Sequence, residues 1–301
     1  MRLNLTHRTS YRFSRPLVSA IQVLRLTPSN CLSQTVLEWR IDVDCNARLR
    51  ETRDGYGNSI HMLYVDEPVR ELAITASGRV ITEDRAGVVE GLSGDLPPEV
   101  FLRPTPLTAP DAALALFADT IPGTREAPLE LLHALNAEIH GKLRFEVGAT
   151  GAGTSAAEAY IAGGGVCQDF AHIFITVARL RGIPARYVSG HLFRRDGAAV
   201  QDAGHAWAEA WVPALGWVAF DPANAICADE AYVRVAVGVD YSDAAPNAGT
   251  RRGGGKEEMI VEVSVTQAKP RSQTQRQWQS QSGGGKQSQS QNAGEFWRRP
   301  E

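Results

Sequence analysis

Through the first 82 positions, apolar and polar residues alternate with a period of two, in segments such as LNLTHRTSYRF, AIQVLRLTP, TVLEWRIDVD, ARLRETRD, SIHMLYVD and LAITASGRVIT. A period of two sends successive side chains to opposite faces, so each segment reads as a half-buried strand. Turn chemistry separates them, at Thr27-Pro28-Ser29-Asn30, Asp54-Gly55 and Gly57-Asn58-Ser59. Short alternating strands at this spacing predict an antiparallel sandwich or open barrel over residues 1–86.

The pattern then changes. A proline-rich passage, DLPPEVFLRPTPLTAPD, removes ladder donors and breaks helices, which marks a boundary. Helical spacing follows around Asp111 to Asp119 and around Ala127 to Leu143, and Ser155 and Glu158 have the spacing of a capping box. From Phe170 to Leu180 the chain is apolar on nearly every face and stops at Gly182 and Pro184, as a helix buried mid-domain would. Residues 87–266 therefore read as a second, mixed domain. Residues 267–301 are rich in Gln, Ser, Gly and Arg, too polar to offset their ordering entropy, and read as a disordered tail.

Composition acts mainly by exclusion. With 301 residues, 43% of them hydrophobic, the chain has enough apolar surface for two domains. A net charge of −3 gives no electrostatic case for nucleic acid or an anionic membrane. The amino terminus lacks the apolar core of a signal peptide, and no apolar run approaches the roughly 20 residues of a spanning helix, so a cytoplasmic location is expected. Cysteines 31, 45, 167 and 227 show neither a disulfide framework nor zinc-ligand spacing, so thiols and no metal or other cofactor are expected.

Cys167 differs from the other three. It follows Gly163-Gly164-Gly165 at the start of the buried helix, where unpaired N–H groups and the positive end of the helix dipole favour a thiolate. The glycines would let a substrate carbonyl approach the sulfur. Further on, GHAWAEAWVPALGWVAFDPANA reads as two strands around a turn at Pro213 to Gly216. That hairpin would make His205 and Asp221 neighbours. A helix-borne thiol, an imidazole and a carboxylate are the groups nucleophilic acyl transfer needs, to attack, to move the proton and to orient the base. His172 falls about 140° around the helix from Cys167, which points to a structural hydrogen bond instead. His191 reads as a loop or strand-end residue that could border the cleft, Trp207 could line it beside the base, and Gln168 sits in the first helical turn.

These residues carry a family resemblance. GGGVCQDFAH, GHAWAEAWVP and GWVAFDPANA resemble the cysteine, histidine and aspartate motifs of the bacterial transglutaminase-like proteins. The opening YRF and LRLTP segments resemble that family's β-rich amino-terminal domain, and FLRPTPLT its linker. The resemblance implies an α+β chain, a papain-like core behind an antiparallel β-rich domain. It also implies a triad of Cys167 as nucleophile, His205 as base and Asp221 as orienting acid; position alone makes Gln168, His191 and Trp207 candidate substrate contacts. It implies a cysteine peptidase or amidase acting on an amide or isopeptide bond of a peptide or protein. The alternatives are a protein-glutamine transferase, in which an amine resolves the thioester, or a binding module without catalysis. An amide-bond ligase of the ATP-grasp type is an implied partner. One departure is Val239, where the resemblance implies an arginine.

Overall fold

The first strand sets the architecture. β1 runs from Arg2 to Thr27, joining LNLTHRTSYRF and AIQVLRLTP, which the alternation gives as separate segments. The chain does not turn back there: its pairing register shifts between Arg12 and Leu17 and again between Leu17 and Ser19, so β1 bends and continues. Four strands follow, β2 (Gln34–Val43), β3 (Arg48–Arg53), β4 (Ser59–Val65) and β5 (Val69–Thr82). The first half of β1 pairs with β5, which pairs with β2; the second half pairs with β4, which pairs with β3. Leu17, Leu24, Leu63, Leu72 and Ile74 from these strands form a common core, because alternate positions of every strand point inward. The computed structural model describes residues 1–92 and 96–268, and Met1–Ala268 forms one compact unit. The expected disordered tail lies, from residue 269 onward, outside the described residues.

After a two-residue strand, β6 (Val88–Val89), and a 3-10 turn at Pro98–Leu102, the helices begin. α1 (Ala112–Thr120) is capped by the Asp111 carboxylate, which accepts from Leu114 N. α2 (Pro128–Lys142) starts on proline, whose missing N–H costs nothing in the first turn. β7 (Arg144–Phe145) leads to α3 (Ala156–Ala162), where Ser155 and Glu158 make the expected reciprocal cap. Gly163 then ends α3 in the left-handed conformation at φ 71°, and β8 (Gly164–Gly165) delivers the chain to α4 (Cys167–Leu180).

α4 lies on a second, antiparallel sheet. Its strands are β9 (Ala185–Leu192), β11 (His205–Val212), β12 (Gly216–Asp221), β13 (Ile226–Cys227) and β14 (Tyr232–Gly238), in the order β13-β12-β11-β9-β14. Ala206, Ala208 and Ala210 of β11 share a core with Phe170, Ile173, Phe174 and Val177 of α4. Small side chains on that strand face let the helix approach the sheet closely. The opposite face of β11 carries Trp207, Glu209 and Trp211.

Residues beyond β14 return to the first sheet. A short α5 (Tyr241–Ala244) precedes β15 (Asn247–Gly253) and β16 (Glu257–Gln267), and both strands pair with β1. β10 (Val200–Gln201) pairs with β16 as well. The segment 87–266 thus supplies strands to both sheets. Gln34 binds the two together, its side chain donating to Arg234 O (2.9 Å) and accepting from Arg234 N (2.8 Å).

Candidate active site

Cys167 is the first residue of α4 and is half-buried. Its position is fixed by Asp169, two residues on, whose Oδ2 accepts from Val166 N (2.8 Å) and from Thr150 Oγ1 (2.6 Å). Asp169 is only 1% exposed, and burial pushes its carboxyl above the usual range against those two donors. The glycine run serves this turn. A Cβ on Gly165 would lie 2.4 Å from Asp169 Oδ2, one on Gly164 would lie 2.7 Å from Arg144 O, and Gly163 is needed for its positive φ.

The β11–β12 hairpin closes as its turn chemistry implies, with Ala208 opposite Phe220 and Val212 opposite Gly216. His205 opens β11 and Asp221 ends β12, and His205 Nε2 lies 2.6 Å from Asp221 Oδ2. The ring nitrogen turned away from the carboxylate is Nδ1, and the Cys167 thiol is near enough to this imidazole to favour its charged form. Burial pulls the His205 pKa down, yet the charges of Asp221 and Cys167 and hydrogen bonds to both outweigh it and raise it to about 10. Asp221 is fully buried; desolvation would raise its pKa, but His205, Asn224 and Tyr232 hold it below its ordinary value.

Two residues around Asp221 escaped the sequence reading. Tyr232, at the start of β14, donates its hydroxyl to Asp221 Oδ2 (2.7 Å), and Asn224 donates its side-chain amide to the same oxygen (2.7 Å). Asp221 Oδ1 accepts from Ala223 N (2.9 Å) and Asn224 N (3.3 Å). The spacing Asp221-x-x-Asn224 is a turn signal that points to part of this, whereas nothing in the sequence ties Tyr232 to it.

Trp207 joins the cluster from beneath, 1% exposed, with ring centroids 6.2 Å from His205 and 5.4 Å from Tyr232. Gln168 and His191 are engaged elsewhere. Gln168 donates its amide to Ala152 O (3.1 Å), tying down the loop before α3. His191 is not a solvated loop residue: it lies in β9, 3% exposed, edge-on to His7 of β1 at 5.4 Å. Burial, with the neighbouring His7 and His205, lowers its pKa to about 3. His172 accepts from Tyr241 N at Nε2 (3.1 Å), a structural bond. Val239 is 3% exposed, and its carbonyl accepts from the buried Arg179 (2.6 Å).

A second charged cluster lies on the Trp207 face of β11. Glu209 is fully buried between Arg186 and Arg234, with both Nε atoms 2.7 Å from its carboxylate, and Arg186 stacks on Trp217 at 3.9 Å. Desolvation would raise the Glu209 pKa, but the two guanidinium groups reverse this and hold it down. Among the described residues no group of three His, Cys, Asp or Glu side chains is placed to hold a metal ion, and no helix is long and apolar enough to cross a membrane.

Comparison with known proteins gives the same picture in both halves of the chain. Residues 3–81 match the bacterial transglutaminase-like N-terminal region, and residues 116–222 match the transglutaminase-like superfamily. An uncharacterized protein of Mycobacterium leprae is 33% identical over 279 residues, covering 88% of this chain and 99% of that protein. One from Mycobacterium tuberculosis is 34% identical over 289 residues, covering 88% of this chain and 91% of that protein. A crystal structure from Cytophaga hutchinsonii, described as a candidate cysteine protease, shares the fold at a TM-score of 0.70 and 23% identity, covering 89% of this chain and 92% of that one. With its sequence matched in order and its fold shared nearly end to end, the chain belongs to the transglutaminase-like superfamily, with the bacterial type of amino-terminal region.

Proposed function

We propose that this protein is a thiol-dependent acyl-transfer enzyme that cleaves an amide or isopeptide bond of a peptide or protein, with Cys167, His205 and Asp221 as its triad. The observation that carries the reading is the His205 imidazole held through Nε2 at 2.6 Å from the fully buried Asp221 carboxylate, with the charge of Cys167 acting on the same ring. The membership in the superfamily and the cysteine-protease description of the Cytophaga hutchinsonii protein support it.

In this reading Cys167 attacks the carbonyl carbon as a thiolate, and the oxygen takes up the negative charge beside the α4 amino terminus, where the Cys167 N–H is a natural donor. His205, protonated at Nδ1, gives that proton to the leaving amine as the C–N bond breaks and a thioester forms. Water then attacks the thioester as His205 takes its proton, the C–S bond breaks, the carboxylic acid leaves, and Cys167 returns as a thiolate beside protonated His205. Asp221 holds the imidazole through Nε2 at each stage. A cytoplasmic setting, which keeps the four cysteines as thiols, suits this nucleophile.

The test combines labelling with turnover. At low iodoacetamide and mildly acidic pH, intact-mass analysis should show one adduct, at Cys167, that Cys167→Ala abolishes and His205→Ala slows at least about tenfold. A peptide-amide library should yield products one water heavier, and added amines should compete for the same intermediate. Labelling of Cys167 no faster than Cys31 or Cys45 would overturn the proposal. Amine adducts in excess of hydrolysis would change the reaction class to transferase and keep the triad.

A further inference from the structure

Asp221 faces more donors than orienting one imidazole requires. Its Oδ2 accepts from His205, Tyr232 and Asn224, all within 2.7 Å, while Oδ1 is taken by two backbone N–H groups. Tyr232 comes from a different strand, and its ring is fixed by an edge-to-face contact with Trp207 at 82°. Burial and the adjacent Asp221 charge raise the Tyr232 pKa well above its usual value, so the phenol stays protonated and acts towards Asp221 only as a donor.

We propose that Tyr232, with Asn224, is a positioning residue that limits how strongly Asp221 holds the protonated form of His205, by sharing the one carboxylate oxygen that faces the imidazole. The inference rests on the acyl-transfer reading for its functional meaning, though not for its physics. A carboxylate in a dry site with a single partner would stabilise the imidazolium so strongly that His205 would release its Nδ1 proton only reluctantly. Each further donor to Oδ2 draws off part of that negative charge and weakens the bond to Nε2. Tyr232 and Asn224 therefore bring the proton affinity of His205 back towards a value from which it can protonate a leaving amine. They also fix the carboxylate plane, since Oδ1 and Oδ2 have separate sets of donors. The Tyr232 ring also packs 5.8 Å from that of His205, but its hydroxyl, the group that Tyr232→Phe removes, acts on His205 through Asp221.

Tyr232→Phe keeps the ring against Trp207 and deletes one donor; Asn224→Ala deletes another from the opposite side. Both are made in full-length protein carrying Cys167→Ala, so that the thiol adds nothing to the histidine's titration. His205 is followed by NMR of ring-labelled protein, assigned through loss of its signal in His205→Gln. The midpoint should rise in each variant by about half a pH unit or more, because a hydrogen bond to the charged form of Asp221 is lost. In the Cys167 protein, the alkaline limb of the iodoacetamide rate should move upward in parallel. A merely structural role for Tyr232 would lower the unfolding midpoint and leave the His205 titration in place. Unchanged or lowered midpoints in both variants overturn the inference. Because the titration needs no substrate, it stands even where labelling refutes Cys167 as the nucleophile. Should Tyr232→Phe not fold, Asn224→Ala carries the same prediction.

Discussion

His172 allows the energetics of the core to be tested with one substitution. It is 0% exposed within α4, accepts a hydrogen bond from Tyr241 N, and burial, with a smaller push from Arg179 against the opposing pull of Asp240, lowers its pKa to about 4. The unfolded chain binds a proton at this position with a pKa near 6.5, so between pH 6.5 and 4 it holds more protons than the folded one, and stability falls as pH falls. At pH 5 this single residue should cost about 2 kcal/mol relative to pH 8, and roughly 3 kcal/mol once both states are protonated. His7 and His191 have the same sign, with pKa values lowered to about 4 and about 3, mainly by burial. His205 has the opposite sign: raised to about 10, its contribution is complete below pH 6.5 and is lost as pH climbs through 10. His172→Gln places an acceptor near the former Nε2 position and removes the titration. Urea unfolding followed by tryptophan fluorescence, at half-unit steps from pH 8 to 4.5, should show the wild-type slope exceeding the variant's by up to about 1.4 kcal/mol per pH unit near pH 5. Parallel curves for the two proteins would refute the reasoning, since they would mean that His172 is protonated alike in both states.

Two further substitutions address the turn before Cys167 and the charged layer on the far face of β11. Gly165→Ala should displace the Asp169 carboxylate, whose Oδ2 would lie 2.4 Å from the new Cβ, and loosen its bonds to Val166 and Thr150. Alkylation of Cys167 by iodoacetamide should slow about tenfold or more, at a stability cost of about 1–3 kcal/mol readable in the same urea titration. Glu209→Ala strips the carboxylate from between two buried or half-buried guanidinium groups, and should destabilise by about 3–5 kcal/mol, measured as a fall in the denaturation midpoint. A Glu209→Ala protein as stable as wild type would show that Arg186 and Arg234 are held by their other surroundings.

The hairpin bearing His205 and Asp221 was legible because both ends of its logic are local: alternation fixes which residues share a face, and the Pro213 to Gly216 turn fixes the register. The position of Cys167 was legible for a similar reason, since helix stop and start signals bracket α4. What the sequence concealed depends on contacts between distant segments. Tyr232 lies 11 positions from Asp221 with no pattern linking them, and the role of Gly165 becomes plain only once Asp169 folds back over Val166. His191 stands near the end of a strand, as its position suggested, but its burial was hidden because a single histidine after Tyr187-Val188-Ser189-Gly190 gives no sign of the His7 ring packed against it from β1. The unbroken β1 was missed because Pro16 normally interrupts a ladder, whereas here it falls at the bend between two registers.

The pairing of β15 and β16 with β1 has a consequence for biosynthesis. As the chain is made, β1 finds β4 and β5 within the next few dozen residues, but its other side stays open until residues 247–267 have followed. During that interval a long edge, with apolar residues at every second position of its first half, is free to pair with another nascent chain. The amino-terminal sheet therefore cannot finish folding ahead of the enzyme-like half. The strands that carry His205 and Asp221 are made before those that seal the edge of β1.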